Sequence, residues 1–236
     1  MNTRPNLLLF DVDGTLTPSR GTIAPELADR LHRLPVPWAL ITGSDPDKTI
    51  AQVGHELWSQ GWTYNCQGNH IFHQGQEVYR NPWQLPPAVN WTLECLLRAS
   101  PYPMRTGQHV EHRVGMVNFS IVGRAATADE RHAYYVWDQQ HAERLALAQH
   151  IRTVWPDLDV SVAGESGIDI SALNTGKQQI LPRIADHAPI WFFGDRQEPG
   201  GNDHGLAQAI QQQHLGMNWA VTDWQHTLNI LTQEME

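Results

Sequence analysis

The chain has 236 residues, 41% hydrophobic and 17% charged, so it can bury a core and is not a disordered sequence. Its net charge of −9 disfavours unspecific nucleic-acid binding, and no apolar run reaches the about 18 residues of a membrane span. Two cysteines, Cys66 and Cys95, form neither a disulfide framework nor a zinc spacing, and the 13 histidines carry no HxH or HExxH grouping.

Residues 1–6 are polar, and the apolar stretch after them is too short for the core of a signal peptide. The expectation is a cytoplasmic protein without a targeting segment. Leu7 to Phe10 is a short apolar run stopped by acidic residues and Gly14-Thr15, the pattern of a buried parallel strand. Leu27, Leu31 and Leu34 lie at helical spacing over 24–34, behind Thr22 as a cap, and Pro35 and Pro37 end that helix. A second strand over 38–41 runs into Thr42-Gly43-Ser44-Asp45, and a helix over 47–57 follows. Strand, helix, strand, helix in this order implies a parallel sheet with helical crossovers.

The pattern then changes. Residues 64–79 read as a hairpin around Gly68 and Gly75, and Pro82, Pro86 and Pro87 mark a joint. A helix is predicted over 88–99, antiparallel strands over 110–122, a long helical stretch over 128–154 ending at Pro156, and strand over 160–170. Thr175-Gly176-Lys177 opens a helix over 178–185, and the apolar strand 190–193 ends in Gly194-Asp195. The α/β pattern is thus interrupted and resumes. The expected organisation is a core of 1–82 and 175–236 with a domain of different character, 83–174, inserted between.

Functional groups in a parallel sheet gather at the carboxyl ends of strands. Asp11 and Asp13, directly after the first strand, can project into one crevice, with Gly14 turning the chain sharply. A carboxylate can attack phosphorus and form an aspartyl-phosphate, and a carboxyl two residues on can protonate the leaving oxygen and later activate the attacking one. Thr42 offers a hydroxyl and backbone N–H groups to a phosphoryl oxygen, with Ser44 as the alternative donor. Asp195 adds a third carboxylate, which with Asp11 can hold Mg²⁺ through oxygen ligands. The polar loop 198–203, including Asn202 and Asp203, folds back over the site in support, and Lys177 offsets the negative charge. Any one of these features alone reads as an ordinary turn, cap or surface charge; three strand ends in this order carry the argument.

The sequence resembles the haloacid dehalogenase superfamily and, more narrowly, the eukaryotic-type phosphomannomutases over nearly the whole chain. The matching stretches are FDVDGTLTPSR at 10–20, GSD at 43–45, EHRVGMVNFSIVGR at 111–124, Asp129-Glu130-Arg131, and FFGDRQEPGGNDH at 192–204. The resemblance implies an α/β fold, a Rossmann-like core with a parallel sheet plus an inserted α+β cap with an antiparallel sheet. It places the nucleophile on Asp11 and the acid/base on Asp13, and a magnesium ion on the Asp11 side chain, the Asp13 backbone carbonyl and Asp195. Sugar-phosphate binding falls on Arg20, Arg113, Arg124, Arg131 and Asp169.

Three departures from the family stand out. Gly167 replaces a serine that contacts the sugar phosphate, Arg196 replaces the lysine after the GD motif, and the stretch 205–211 lacks the polar ligands of a second-cation loop. The resemblance implies interconversion of mannose 6-phosphate and mannose 1-phosphate, activated by a hexose 1,6-bisphosphate. It also implies a place in GDP-mannose biosynthesis and a homodimer through the cap as one assembly state. Hexose phosphates and bisphosphates are the expected partners, with no nucleic acid and no membrane. A sugar-phosphate phosphatase on the same scaffold shares every core residue and is the alternative. A non-catalytic sugar-phosphate binder would need no such set of carboxylates.

Overall fold

The computed structural model describes residues 4–235, so residues 1–3, part of the polar start used above, lie outside the described residues. The strands are β1 (Leu7–Phe10), β2 (Trp38–Ile41), β3 (Trp62–Asn65), β4 (His70–His73), β5 (Gln76–Arg80), β6 (Val110–Arg113), β7 (Met116–Phe119), β8 (Leu158–Ala163), β9 (Gly167–Ala172), β10 (Ile190–Gly194) and β11 (Gly216–Ala220). The helices are α1 (Pro25–His32), α2 (Pro46–Val53), α3 (His55–Gln60), α4 (Pro87–Ala99), α5 (Ala128–His141), α6 (Glu143–Val154), α7 (Leu181–Ile184), α8 (His204–Gln212) and α9 (Trp224–Glu234). Among the described residues no helix is long and apolar enough to cross a membrane.

Two sheets result. The larger has the order β11-β10-β1-β2-β3-β4-β5, parallel from β11 to β3 and antiparallel through β4 and β5. The smaller has the order β6-β7-β9-β8, antiparallel throughout. Successive side chains of a strand point to opposite faces. In β1, Leu8 and Phe10 therefore join one core with Trp38, Leu40, Trp191 and Phe193, while Leu7 and Leu9 join a second core with Ala39, Ile41, Ile190 and Phe192. A strand buried on both faces must read as a continuous apolar run, and that is why Leu7–Phe10 does. Each such side chain contributes roughly 1.5–3 kcal/mol when fully buried.

The smaller sheet has one apolar face and one polar face, and in its central strands β7 and β9 both are buried. Val117, Phe119, Ile168 and Ile170 pack with Val89, Leu93, Tyr134, Ala148 and Ile151 of the helices beneath it. The intervening positions form a polar row in register across the sheet, Glu111 opposite Asn118, Asn118 opposite Asp169, and Asp169 opposite Ser161. That row faces the carboxyl ends of the larger sheet's strands.

Several local expectations change. The cap position of α1 is Ala24, without a side-chain bond, so Thr22 does not cap it. The helix expected over 47–57 is two helices broken at Gly54, and the stretch over 128–154 is two helices broken at Ala142, whose φ is 51°. A single-residue left-handed kink leaves the apolar periodicity nearly unchanged, so the sequence pattern does not announce it. Residues 178–185 form a tight 3₁₀ turn and the short α7 rather than one helix, with Pro182 inside. The strand expected over 160–170 is a hairpin, β8 and β9. β11 and α9 close the larger sheet and were not anticipated.

Candidate active site

The loop after β1 holds Asp11 and Asp13. Gly14 sits at φ 84° and a Cβ there would lie 2.5 Å from Asp195 Oδ2, so only glycine lets this turn pass against the end of β10. Asp11, Asp195 and Asp203 place carboxylate oxygens all within 4.8 Å of one another. Lys177, completely buried, donates to Asp11 Oδ1 at 2.5 Å and to Asp203 Oδ1 at 2.6 Å. Burial opposes its charge, but the two carboxylates outweigh that and hold its ammonium protonated above the usual lysine range.

One ammonium does not balance three carboxylates. Burial, countered by Lys177 and reinforced by Asp203, pushes the Asp11 carboxyl up to about 7. Burial first, then the charges of Asp11 and Asp203, push the Asp195 carboxyl well above the ordinary range. Asp203 spends its second oxygen on the Arg196 N–H at 3.0 Å. Among the described residues, Asp11 Oδ2 has a single weak donor, the Thr15 hydroxyl at 3.5 Å, and Asp195 has only Arg196 Nε at 3.6 Å. An all-oxygen set with two under-partnered carboxylates fits a hard divalent cation. Asp203, bonded on both oxygens, supports Lys177 and the loop.

Asp13 turns away from this cluster. Its Oδ2 accepts from Lys48 Nζ at 2.7 Å and Ser44 Oγ at 3.2 Å; its Oδ1 accepts from the Arg20 N–H at 2.7 Å and Gln52 Nε2 at 2.9 Å. Burial would raise its carboxyl, but Lys48 above all, with Arg20 and Gln52, holds it well below the usual range. Thr42 is narrower in role than its sequence context suggests. Its N–H is taken by Tyr64 O at 3.0 Å within the sheet, and its Oγ1 accepts the Ser44 N–H at 3.1 Å, which leaves the hydroxyl proton as its free donor. Ser44 gives its own hydroxyl to Asp13.

The smaller sheet sits over these strand ends. Arg113 donates to Gly43 O at 2.6 Å and to Glu111 at 2.8 Å, and Gln67 donates to Asp169 Oδ2 at 2.7 Å. Arg196 reaches Gly164 O at 3.1 Å, and Val162 N–H bonds Gly200 O at 2.9 Å, tying the loop of Asp195 to the β8–β9 hairpin. Arg124 pairs with Glu111 at 2.6 Å, whereas Arg131 bonds Ala126 O and approaches Glu165 only to 3.9 Å. Burial and then the neighbouring Arg124 and Arg131 cations pull Arg20 down to about 10. Three neighbouring arginines balanced only in part by Glu111 and Glu165 are suited to hold an anion.

Asp11, Asp13, Arg20, Thr42, Ser44, Arg113, Arg124, Arg131, Gly167, Asp169, Asp195 and Asn202 all line a single cavity. Lys177 and Asp203 stand behind it. The predicted site residues therefore come together from six separate stretches of chain. Sequence reasoning missed Lys48, Gln52, Gln67, Glu111 and Asn118. For Glu111 and Asn118 a signal existed: alternation puts them on the face opposite Val117 and Phe119. Lys48 stands one helical turn after Ser44, a spacing that places both on one side of α2's start. Gln67 offered no signal, since its φ of 60° and its partner Asp169 are tertiary facts.

The eukaryotic phosphomannomutase family model matches residues 27–236. A probable phosphomannomutase of Caenorhabditis elegans is 31% identical over 217 residues, 85% of each chain. The phosphomannomutase of Saccharomyces cerevisiae is 28% identical over 245 residues, covering 96% of this chain and 93% of its own, and so reaches the Asp11 segment as well. Among solved structures, a trehalose-6-phosphate phosphatase related protein superposes with a TM-score of 0.55 at 15% identity over 96% of both chains, a likeness of fold alone. By its sequence, this chain belongs to the eukaryotic phosphomannomutase family of enzymes.

Proposed function

We propose that the enzyme interconverts mannose 6-phosphate and mannose 1-phosphate through an aspartyl-phosphate on Asp11, primed by a hexose 1,6-bisphosphate. The observation that carries this reading is the pairing of two oppositely charged faces around one cavity, carboxylates below and Arg20, Arg124 and Arg131 above. A phosphatase needs one phosphate site. A mutase that passes a phosphoryl group between two hydroxyls of one sugar needs a second, to hold the phosphate that is not reacting.

In this reading Asp11 attacks phosphorus with the oxygen not committed to Lys177. Asp13, an ionised acceptor in this arrangement, takes the proton of the hydroxyl that attacks the aspartyl-phosphate and gives that same proton to the sugar oxygen that departs next. Thr42 gives its hydroxyl to a phosphoryl oxygen. Mg²⁺, held by Asp11, Asp195 and the Asp13 carbonyl, would supply charge neutralisation for the phosphoryl oxygens. Lys177 keeps Asp11 oriented and ionised, and Asn202 and Asp203 keep the loop in place. In this reading the 83–174 segment withdraws to admit a hexose phosphate and closes again to exclude water, which protects the aspartyl-phosphate from hydrolysis.

One observation keeps the phosphatase reading in play. The family's serine at position 167 is replaced by Gly167, and the vacated place is covered by Asn118 Nδ2, 2.5 Å from where a Cβ would stand. Asn118 Nδ2 donates to Asp169 Oδ1 at 2.8 Å, so the sugar side is re-wired rather than bare. The test is a coupled assay with mannose 1-phosphate, Mg²⁺ and a catalytic amount of bisphosphate. Isomer should form much faster than free phosphate; dominant phosphate release with activator present would establish the phosphatase instead.

A further inference from the structure

Lys48 is the cation nearest to Asp13, and its place follows from the sequence of α2. Asp45 caps the helix by accepting the Lys48 N–H at 2.8 Å, which fixes the first turn. Lys48 then projects on the same side as Ser44, four residues earlier, and its ammonium donates to Ser44 Oγ at 2.8 Å and Asp13 Oδ2 at 2.7 Å. Gln52, one further turn along the same helix, donates to Asp13 Oδ1 and to Thr17 Oγ1 at 3.1 Å. One face of a two-turn helix thus grips both oxygens of one carboxylate. Lys48 also lines the cavity, with about a quarter of its side chain exposed there.

This grip is unlike that on Asp11. Lys177 is fully buried and bridges two carboxylates, while Lys48 is open to the cavity and serves one. A surface ion pair of this length would contribute little. Here the partner is the residue that, in the proposed reaction, must meet a departing oxygen and later an arriving hydroxyl at the same point in space. General acid–base catalysis depends on such placement, because the proton donor must stand within hydrogen-bond reach of the oxygen it serves.

We propose that Lys48 is a positioning residue for the acid/base step, fixing the Asp13 carboxyl against the oxygen that leaves or enters phosphorus. The inference rests on the assignment of Asp13 as acid/base. In the step it serves, the entering sugar hydroxyl bonds phosphorus as the Asp11 oxygen–phosphorus bond breaks, and the ionised Asp13 takes the hydroxyl proton. In the return step the Asp11 oxygen–phosphorus bond forms, the other sugar oxygen–phosphorus bond breaks, and that proton goes to the departing sugar oxygen. The Lys48 ammonium is engaged by Asp13 Oδ2 and Ser44 Oγ, and so limits where Asp13 can point.

The test is leaving-group dependence. A sugar alkoxide cannot leave without a proton, whereas 2,4-dinitrophenolate can. Lys48→Met should lower kcat/KM for mannose 1-phosphate by about 100-fold or more, the lower end of what acid–base catalysis supplies. It should lower kcat/KM for 2,4-dinitrophenyl phosphate by less than about 5-fold, because that substrate needs no acid. The loss should fall mainly on kcat, and Lys48→Arg should recover part of it by restoring a donor to Asp13. Equal losses on both substrates would overturn the proposal, as would a Lys48→Met enzyme that turns over the sugar phosphate normally. Asp13→Ala is measured alongside. If it shows the leaving-group signature and Lys48→Met does not, only the role of Lys48 falls; if Asp13→Ala shows none, the acid/base assignment falls and the proposal with it. Should Lys48→Met not fold, Lys48→Ala, which likewise removes the donor to Asp13, carries the same comparison, and no selectivity there also overturns it.

Discussion

The carboxylate cluster at the ends of β1 and β10 and the arginine face formed by Arg113 of β6, Arg124 of the loop after β7 and Arg131 of α5 are built on opposite principles. The first is short of positive charge and answers that shortage locally with Lys177, which bridges Asp11 and Asp203. The second is rich in positive charge and is balanced only in part by Glu111 and distant Glu165. The first set is committed to a cation, while the second can exchange its partners for a ligand's oxygens. A phosphate that is to be attacked belongs with the first, and a phosphate that is only to be held belongs with the second.

The largest effect should come from the attacking carboxylate. Asp11→Asn keeps the shape of the site and loses the nucleophile, so turnover and any trapped phosphoenzyme should fall below about one per cent of the parent. Activity above a few per cent would remove Asp11 from its role and with it the contrast between the two faces.

The arginine face should give a smaller and selective defect. Arg124→Ala or Arg131→Ala removes a charge-assisted bond worth about 1.5–3 kcal/mol, or roughly 10- to 150-fold in kcat/KM for the sugar phosphate. A small aryl phosphate has no second phosphate to place and should lose far less. Arg113 differs from these two because it also reaches Gly43 O, so Arg113→Ala should additionally loosen closure and raise KM. Equal losses on both substrates for Arg124→Ala would make the face a structural feature only.

The smallest effect is on stability. Without metal, Asp11 and Asp195 have folded-state pKa values raised above the ordinary 3.8, Asp11 to about 7. The fold then holds protons that the unfolded chain releases, so their contribution is full below about pH 4 and is lost as pH rises through about 7. A bound cation replaces those protons. Added Mg²⁺ should therefore raise Tm more at about pH 7.5 than at about pH 5, by a few degrees. An equal or larger rise at the lower pH would place the ion elsewhere.

How far the sequence foretold this molecule depends on the range of the forces involved. β1, β2 and β10 were legible because a strand covered on both faces has to be apolar throughout, and the acidic residues that stop them mark the strand ends where chemistry gathers. The antiparallel character of β6 and β7 was legible from alternation. The breaks at Gly54 and Ala142 and the split of 178–185 were not, because one residue's backbone angle leaves periodicity intact. β11 is half-buried at a sheet edge, and its Gly-Met-Asn-Trp-Ala sequence has no run of apolar residues to announce it. At the site, Asp11, Asp13, Asp195 and Lys177 were found through motif order. Lys48, Gln52 and Gln67 act through partners 35 to 102 residues away, Lys48–Asp13 at 35 and Gln67–Asp169 at 102, and no local pattern records such pairs.

The account stands on the claim that the arginine face directs the phosphoryl group on Asp11 to a sugar rather than to water. The direct measurement is the fate of that group. Enzyme carrying a radiolabelled phosphoryl on Asp11 is chased with mannose 6-phosphate, and label is counted in hexose bisphosphate and in inorganic phosphate. The account predicts that most label passes to bisphosphate in the parent enzyme, and that Arg124→Ala and Arg131→Ala shift it towards inorganic phosphate. Label passing mainly to water in the parent, or a partition that the arginine replacements leave unchanged, would contradict it.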